Sequence, residues 1–198
     1  MDSIFLPSDD DIIALTRAWV DEAVIGLNLC PFAKAVQVKQ QIRYVISHAD
    51  QETDLQQDLT NELLHLHDSD PEILDTTLLI LPRILQDFLD YNNFLDSADA
   101  TLVEHKLEGE IQIASFHPDY QFAGTAVTDI DNYTNRSPFP ILHLLRESSI
   151  DRAVESFPDA SAIFDRNVAT MRRLGLEGWN QLGFVVSKKQ HQLSKKSC

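Results

Sequence analysis

The stretch TTLLILP, residues 76–82, decides the fold of this chain. After two threonines it is wholly apolar, and it ends at a proline. A short run of this composition is typical of a strand that is covered on both faces. Helical periodicity lies on both sides of it. Asp50 begins one amphipathic segment, and a second covers about residues 84–106. The first segment places four leucines on one face: Leu55, Leu59, Leu63 and Leu66.

Two further strands are predicted beyond these helices. QIRYVISHA alternates at Ile42, Tyr44 and Ile46, and EIQIAS covers residues 110–115. Strands that alternate with helices of this length favour neighbouring parallel strands. The sequence therefore predicts an α/β fold with a small, mainly parallel sheet of about three or four strands flanked by helices, and with a helical C-terminal third.

Helices are also predicted before the first strand and after the long loop. A first helix begins at Asp9 or Asp10 and ends near residues 26–28. Pro140 suits the first turn of a helix over ILHLLRE. Further helices are expected at RAVESF, residues 152–157, and at ASAIFDRNVATMRRLG, residues 160–175, with Asp159 as its cap. We expect one domain over residues 1–182 and a basic, flexible tail over residues 183–198.

Charge and composition exclude several classes of partner. The chain has 198 residues and a formal net charge of −15, which opposes binding to nucleic acid and to an anionic membrane surface. No stretch reaches the roughly 18 apolar residues of a membrane span, and no secretory signal is seen. Two cysteines do not make a disulfide framework, so a cytoplasmic location is expected.

Residues 116–139 are expected to form a long functional loop. Long loops inside compact domains are usually functional or disordered, and aromatic content argues against disorder. His117 follows a predicted strand at the carboxyl edge of the sheet, where ligands bind in open parallel sheets. It is either a site residue or a cap of the strand end. The loop holds six aromatic or histidine residues: Phe116, His117, Tyr120, Phe122, Tyr133 and Phe139.

Cys30 is the candidate nucleophile. It lies in LNLCPFAK after the first helix, where Pro31 prevents that helix from continuing. Thiolate is a reactive form, and a histidine such as His117 would act as its base. The alternative is that Cys30 is a small buried apolar residue, as most free cysteines are.

The segment NYTNRSPFPILHLLRE, residues 132–147, predicts a site for an anion. Backbone N–H groups at a helix N-terminus, with a guanidinium beside them, bind carboxylate or phosphate. The predicted helix would also place His143, Arg146 and Glu147 on one face, unless that face is simply solvated. The expected substrate-binding residues are Tyr120, Asn132, Asn135, Arg136, Ser137, His143 and Arg146.

Three functions are therefore compatible with the residues. The first is a small cytoplasmic enzyme in which Cys30, His117 and Arg136 share a cleft for an anionic small molecule. The second is a non-catalytic module that binds a ligand or a protein. The third is a metal-dependent site that uses His117 and His143, although no known ligand spacing is present. The sequence assigns neither a cofactor nor an oligomeric state.

Three phrases of the sequence resemble a bacterial family of uncharacterised single-domain proteins, a domain of unknown function. They are WVDEAVIGLNLCPFAKAV, SFHPDYQFAGT and NYTNRSPFPILHLLRE, and the resemblance spans roughly residues 10–180. It implies a single domain and a bacterial cytosolic setting. It implies no substrate.

Overall fold

The sheet has four strands and is mixed. The structure is a computed structural model that describes residues 7–155 and 162–185. The strands are β1 (Ile42–Ile46), β2 (Thr76–Ile80), β3 (Ile111–Phe116) and β4 (Ile141–Arg146), in the order β1-β2-β4-β3. β1 is parallel to β2, and β4 is antiparallel to both of its neighbours. The first three strands therefore run in one direction, as predicted, with β4 inserted against them.

Helices cover both faces of the sheet, which confirms the predicted α/β fold. α1 (Asp9–Trp19) begins at Ser8, whose side chain accepts a hydrogen bond from the Asp11 N–H. It continues as a π-helix over Val20–Ile25. The remaining helices are α2 (Ala33–Val38), α3 (Glu52–Asp68), α4 (Phe88–Glu104), α5 (Glu147–Glu155) and α6 (Ile163–Trp179), with a 3₁₀-helix at Ile130–Asn135.

The prediction of a helix over ILHLLRE is wrong, because this segment is strand β4. Leu142 and Leu144 pack into the core beneath α3 and α4, whereas Ile141 packs into the core beneath α1. A strand that is covered on both faces reads as a nearly continuous apolar run. Its periodicity cannot be told from that of a buried helix segment.

Each face of the sheet has its own hydrophobic core. The leucines of α3 pack with Tyr91 and Phe94 of α4 on one face. On the other face, Trp19 of α1 and Met171 of α6 pack against the sheet. Side chains of each strand alternate between these cores, as the pleat requires. A side chain that contacts α4 therefore lies on one face of the sheet, and a side chain that contacts α1 or α6 lies on the other.

The C-terminal segment packs against α1 and the 3₁₀-helix. Gly175 has a φ of 63° and breaks the helical geometry within α6, close to the predicted end. Phe184 is buried and its ring lies 5.5 Å from that of Trp179, so the packed domain extends at least to residue 185. The predicted cap Asp159 and the rest of the predicted tail lie outside the described residues. Within those residues, no helix has the length and apolar character needed to cross a membrane.

The Tyr91 hydroxyl group bonds to both strands where β3 ends and β4 begins. The hydroxyl donates to the Ile141 carbonyl at 2.7 Å and accepts from the Phe116 N–H at 3.1 Å. Tyr91 is fully buried, and burial raises its pKa, so the hydroxyl keeps its proton. It thereby takes the place of a ladder hydrogen bond between two strands.

We expect Tyr91→Phe to lower the free energy of unfolding by about 2 kcal/mol, because it leaves a buried N–H and a buried carbonyl without their partner. Urea denaturation measures this loss. Tyr44→Phe is the matched control, since its hydroxyl bonds to a side chain, that of Gln37, and not to strand backbone, at a half-buried position. Equal losses in the two variants would contradict the assigned role of Tyr91.

Candidate functional site

The carboxyl ends of β1, β2 and β3 lie at one edge of the sheet, and β4 begins at the same edge. The segments that follow the three strands therefore lie along this edge, as the sequence predicts for His117. The loop over residues 117–140 returns to this edge before it enters β4. This is the position at which open α/β sheets bind their ligands.

Asn132 organises this loop from within. Its side-chain oxygen accepts from the Phe122 N–H at 3.0 Å and from the Thr125 hydroxyl at 2.7 Å. Its side-chain nitrogen donates to the Ala126 carbonyl at 2.8 Å. Because the residue is fully buried, Asn132 shapes the site instead of facing a ligand.

Asn135 and Ser137 also bond to the protein itself. The Asn135 side chain donates to the Ser115 carbonyl. The backbone carbonyl of Asn135 accepts from the His117 N–H. The Ser137 hydroxyl donates to the Phe139 carbonyl at 2.5 Å. Both side chains therefore fix the chain on either side of Arg136.

Arg136 is held by neutral groups. Its Nε donates to the Tyr120 carbonyl at 3.4 Å and its Nη2 donates to the Val127 carbonyl at 2.9 Å. The guanidinium carbon lies 4.0 Å from the centroid of the Tyr133 ring. Tyr133 and Arg136 are three residues apart around the 3₁₀-helix, in which side chains at that spacing lie on the same side. The Trp19 indole also donates to the Arg136 carbonyl at 2.9 Å.

The charge of Arg136 has no carboxylate partner within 4.0 Å among the described residues. Arg43 and Arg172, by contrast, bond to Glu62 and Asp131. A guanidinium has five N–H donors, and only two of those of Arg136 are bonded to carbonyls. Among the described residues, the half-buried side chain therefore has further donors and a positive charge without an ion-pair partner, in a strongly acidic protein.

Tyr120, whose carbonyl accepts a hydrogen bond from Arg136, belongs to a row of aromatic rings. The Tyr120 ring lies 5.2 Å from Phe88 and 5.0 Å from Phe122, and Phe122 lies 6.0 Å from Phe164 of α6. We call Phe88, Tyr120, Phe122 and Phe164 the aromatic row. Phe164 is 57% exposed, so the row reaches solvent at its α6 end. Tyr120 was predicted as a site residue, and the structure brings it to Arg136.

His117 is fully buried on the α4 face, and backbone groups engage both of its ring nitrogens. Its Nδ1 accepts from the Asp119 N–H at 2.9 Å, so Nε2 carries the proton and donates to the Leu85 carbonyl at 3.2 Å. Leu85 has a φ of 55°, a conformation that non-glycine residues adopt rarely. This geometry is that of a residue that anchors the end of β3 to the segment before α4.

Cys30 lies in the other layer of the protein. It follows the π-helix, where its N–H donates to the Val24 carbonyl, and the preceding Leu29 belongs to the α1 core. Burial raises the pKa of the Cys30 thiol, although the N–H groups of Phe32 and Ala33 act in the opposite direction. The described contacts of Cys30 and His117 do not join the two side chains.

His143 and Arg146 do not share a face, because they are three residues apart on a strand. The predicted common helix face for His143, Arg146 and Glu147 is therefore wrong. His143 lies on the α1 face in the middle of β4, where its Nε2 is 2.7 Å from the Thr76 hydroxyl. Arg146 bonds to carbonyls of α3 and the following loop at the opposite edge of the sheet from Arg136.

The described residues contain no cluster of three or more histidine, cysteine or carboxylate side chains that could hold a metal ion. His117 and His143 lie on opposite faces of the sheet. An open cavity of about 410 Å³ lies between the starts of α3 and α4, and its acidic lining opposes an anion. It is lined by Asp50, Gln51, Glu52, Thr53, Ile84, Leu85 and Asp90.

Comparison with known proteins gives one family. The family model described as "Protein of unknown function (DUF1415)" matches residues 11–181. No curated protein and no solved structure matches the chain. The matched range includes Cys30, the whole sheet, Arg136 and all of α6.

Proposed function

The chain belongs to this family of proteins of unknown function, and we propose that it binds a small organic anion through Arg136 at the loop-covered edge of the sheet. The observation that carries the proposal is a guanidinium fixed by two carbonyls and a tyrosine ring, with no carboxylate partner among the described residues. A cation that is positioned in this way pays little entropy on binding. Arginine is also suited to carboxylate and phosphate, which its planar donors bind in pairs.

The surrounding charge supports selective binding of a small anion. A net charge of −15 repels large polyanions, whereas the field of one partly enclosed guanidinium acts over a short range. The acidic cavity between α3 and α4 would repel the same ligand. Binding is therefore expected at Arg136 and not at that cavity.

Binding is a better-supported function than catalysis for this site. A nucleophilic mechanism needs a base within hydrogen-bond distance of its nucleophile. His117 bonds to backbone with both ring nitrogens, and the pKa of Cys30 is raised. The proposal therefore rests on Arg136 and on the loop that holds it, and it needs no Cys30–His117 pair.

The test is a thermal-shift titration with a panel of inorganic phosphate and carboxylates of increasing size. A ligand at 100 times its dissociation constant stabilises a protein by about 2.7 kcal/mol, which is a clear shift in Tm. We expect at least one anion to stabilise the wild type and to have little effect on Arg136→Gln. Arg136→Lys keeps the charge without the paired donors and should respond at an intermediate level.

Arg173→Gln is the matched control. It makes the same change in net charge on α6, where Arg173 bonds to the Thr170 hydroxyl. It should respond to the anions as the wild type does. Equal stabilisation of wild type and Arg136→Gln by every anion of the panel would contradict the proposal.

A further inference from the structure

We infer that the organic anion carries an aromatic ring that packs against the aromatic row. This inference rests on the proposed function and specifies its ligand. Arg136 and Tyr120 are joined by the hydrogen bond from Nε to the Tyr120 carbonyl. The guanidinium is therefore bonded to the backbone of a residue whose ring belongs to the aromatic row.

The aromatic row leaves apolar surface open beside the charged group. Phe164 is 57% exposed although it contacts Phe122, and Val127, whose carbonyl holds Arg136, is 62% exposed. One exposed apolar side chain thus belongs to a residue that holds the cation, and the other ends the aromatic row that includes Tyr120. A ligand that covers them must therefore combine an acidic group with an apolar group.

The ring geometry favours an aromatic group over an aliphatic one. Tyr120 and Phe122 meet at 67°, and Phe122 and Phe164 meet at 87°, so successive rings pack edge to face. Such a row ends with a ring face or edge that accepts another ring in the same manner. Aromatic pairs of this geometry are stabilised beyond the area that they bury.

The charge sign is set by Arg136. An exposed aromatic surface could also bind a cation, but Arg136, which bonds to the Tyr120 carbonyl, already brings a positive charge to this loop. A second cation would be repelled by the first. The ligand class is therefore an aromatic carboxylate or another planar aromatic acid.

The test compares four carboxylates: acetate, cyclohexanecarboxylate, benzoate and 1-naphthoate. Binding is followed by NMR through the Nε–H resonance of Arg136, which reports directly on the charged group. We expect 1-naphthoate to bind about tenfold or more tightly than acetate, and benzoate to bind more tightly than cyclohexanecarboxylate. Phe164→Ser should weaken 1-naphthoate about fivefold and leave acetate unchanged.

Leu176→Ser is the matched control, because Leu176 is 53% exposed on the same helix. It should bind 1-naphthoate as the wild type does. If anions bind through Arg136 but aromatic ones have no advantage, or if Phe164→Ser has no effect, the ligand class is wrong and the proposed function stands. If no anion moves the Arg136 resonance, both fall.

Discussion

Replacing Arg146 by glutamine is expected to lower the free energy of unfolding by about 3 kcal/mol, because several charge-assisted hydrogen bonds are lost. Arg146 is only 9% exposed. Its Nη2 donates to the carbonyls of Leu66 and Ser69, and its Nε donates to the Leu74 carbonyl at 3.2 Å. The side chain thus satisfies carbonyls at the C-terminal end of α3, where a cation also complements the helix dipole.

Urea denaturation of Arg146→Gln measures this effect. Arg152→Gln serves as a control with the same change in charge. The side chain of Arg152 is 61% exposed and lies 3.9 Å from the largely buried Asp75, and a long ion pair with an exposed cation contributes about 1 kcal/mol or less. Anion binding at Arg136 should be unchanged in folded Arg146→Gln. A loss no larger than that of Arg152→Gln would show that Arg146 does not support α3 in this way.

The second large effect is a loss of stability in acid that depends on His143. Burial lowers the pKa of His143 to about 4. The unfolded chain, with the ordinary histidine pKa of about 6.5, binds this proton more readily than the folded protein does. Stability is therefore complete above about pH 6.5 and falls as the pH decreases towards 4. The full shift corresponds to about 3 kcal/mol.

The hydrogen bonds of His143 place a proton on its Nε2. The single proton of the Thr76 hydroxyl is donated to the Leu144 carbonyl at 2.6 Å, so the hydroxyl accepts from His143 Nε2. His143→Gln retains a donor for Thr76 but does not titrate. We expect this variant to lose about 2 to 3 kcal/mol less than the wild type between pH 6.5 and 4, by urea unfolding at several pH values.

His65→Gln replaces an exposed histidine of α3 and should keep the wild-type dependence on pH. Parallel curves for His143→Gln and the wild type would mean that His143 does not account for the acid sensitivity. Other groups also titrate between pH 6.5 and 4. The quantity to compare is therefore the loss of stability of His143→Gln against that of the wild type and of His65→Gln.

The sequence predicts the parts of the fold that have one clear periodicity. The leucines of α3 recur at helical spacing, and the apolar run of β2 is too short for a helix. The same reasoning does not identify β4 as a strand, because the strands that pair with it are distant in the chain. Only its pairing with Leu78 of β2 and Ala114 of β3 shows that His143 belongs to a sheet.

The candidate site was predictable only in part. Local sequence singles out Arg136 and Tyr120, and the spacing of Tyr133 from Arg136 would have indicated their contact if the 3₁₀-helix had been recognised. Phe164 could not be found in this way, because its contact with Phe122 joins residues that are distant in the chain. His117 is likewise buried by packing against α4, and the residues next to His117 in the sequence do not predict that contact.

The insertion of β4 between β2 and β3 affects how the chain assembles during synthesis. β2 and β3 are not neighbours, so neither can complete its pairing until the ribosome has released residues 141–146. Until then both strands have an unpaired edge, which is the feature that promotes association between nascent chains. At roughly 5 to 20 residues per second, the interval between the emergence of β2 and of β4 lasts several seconds. Closure of this sheet is therefore a late event that couples distant segments, and such couplings make folding slow.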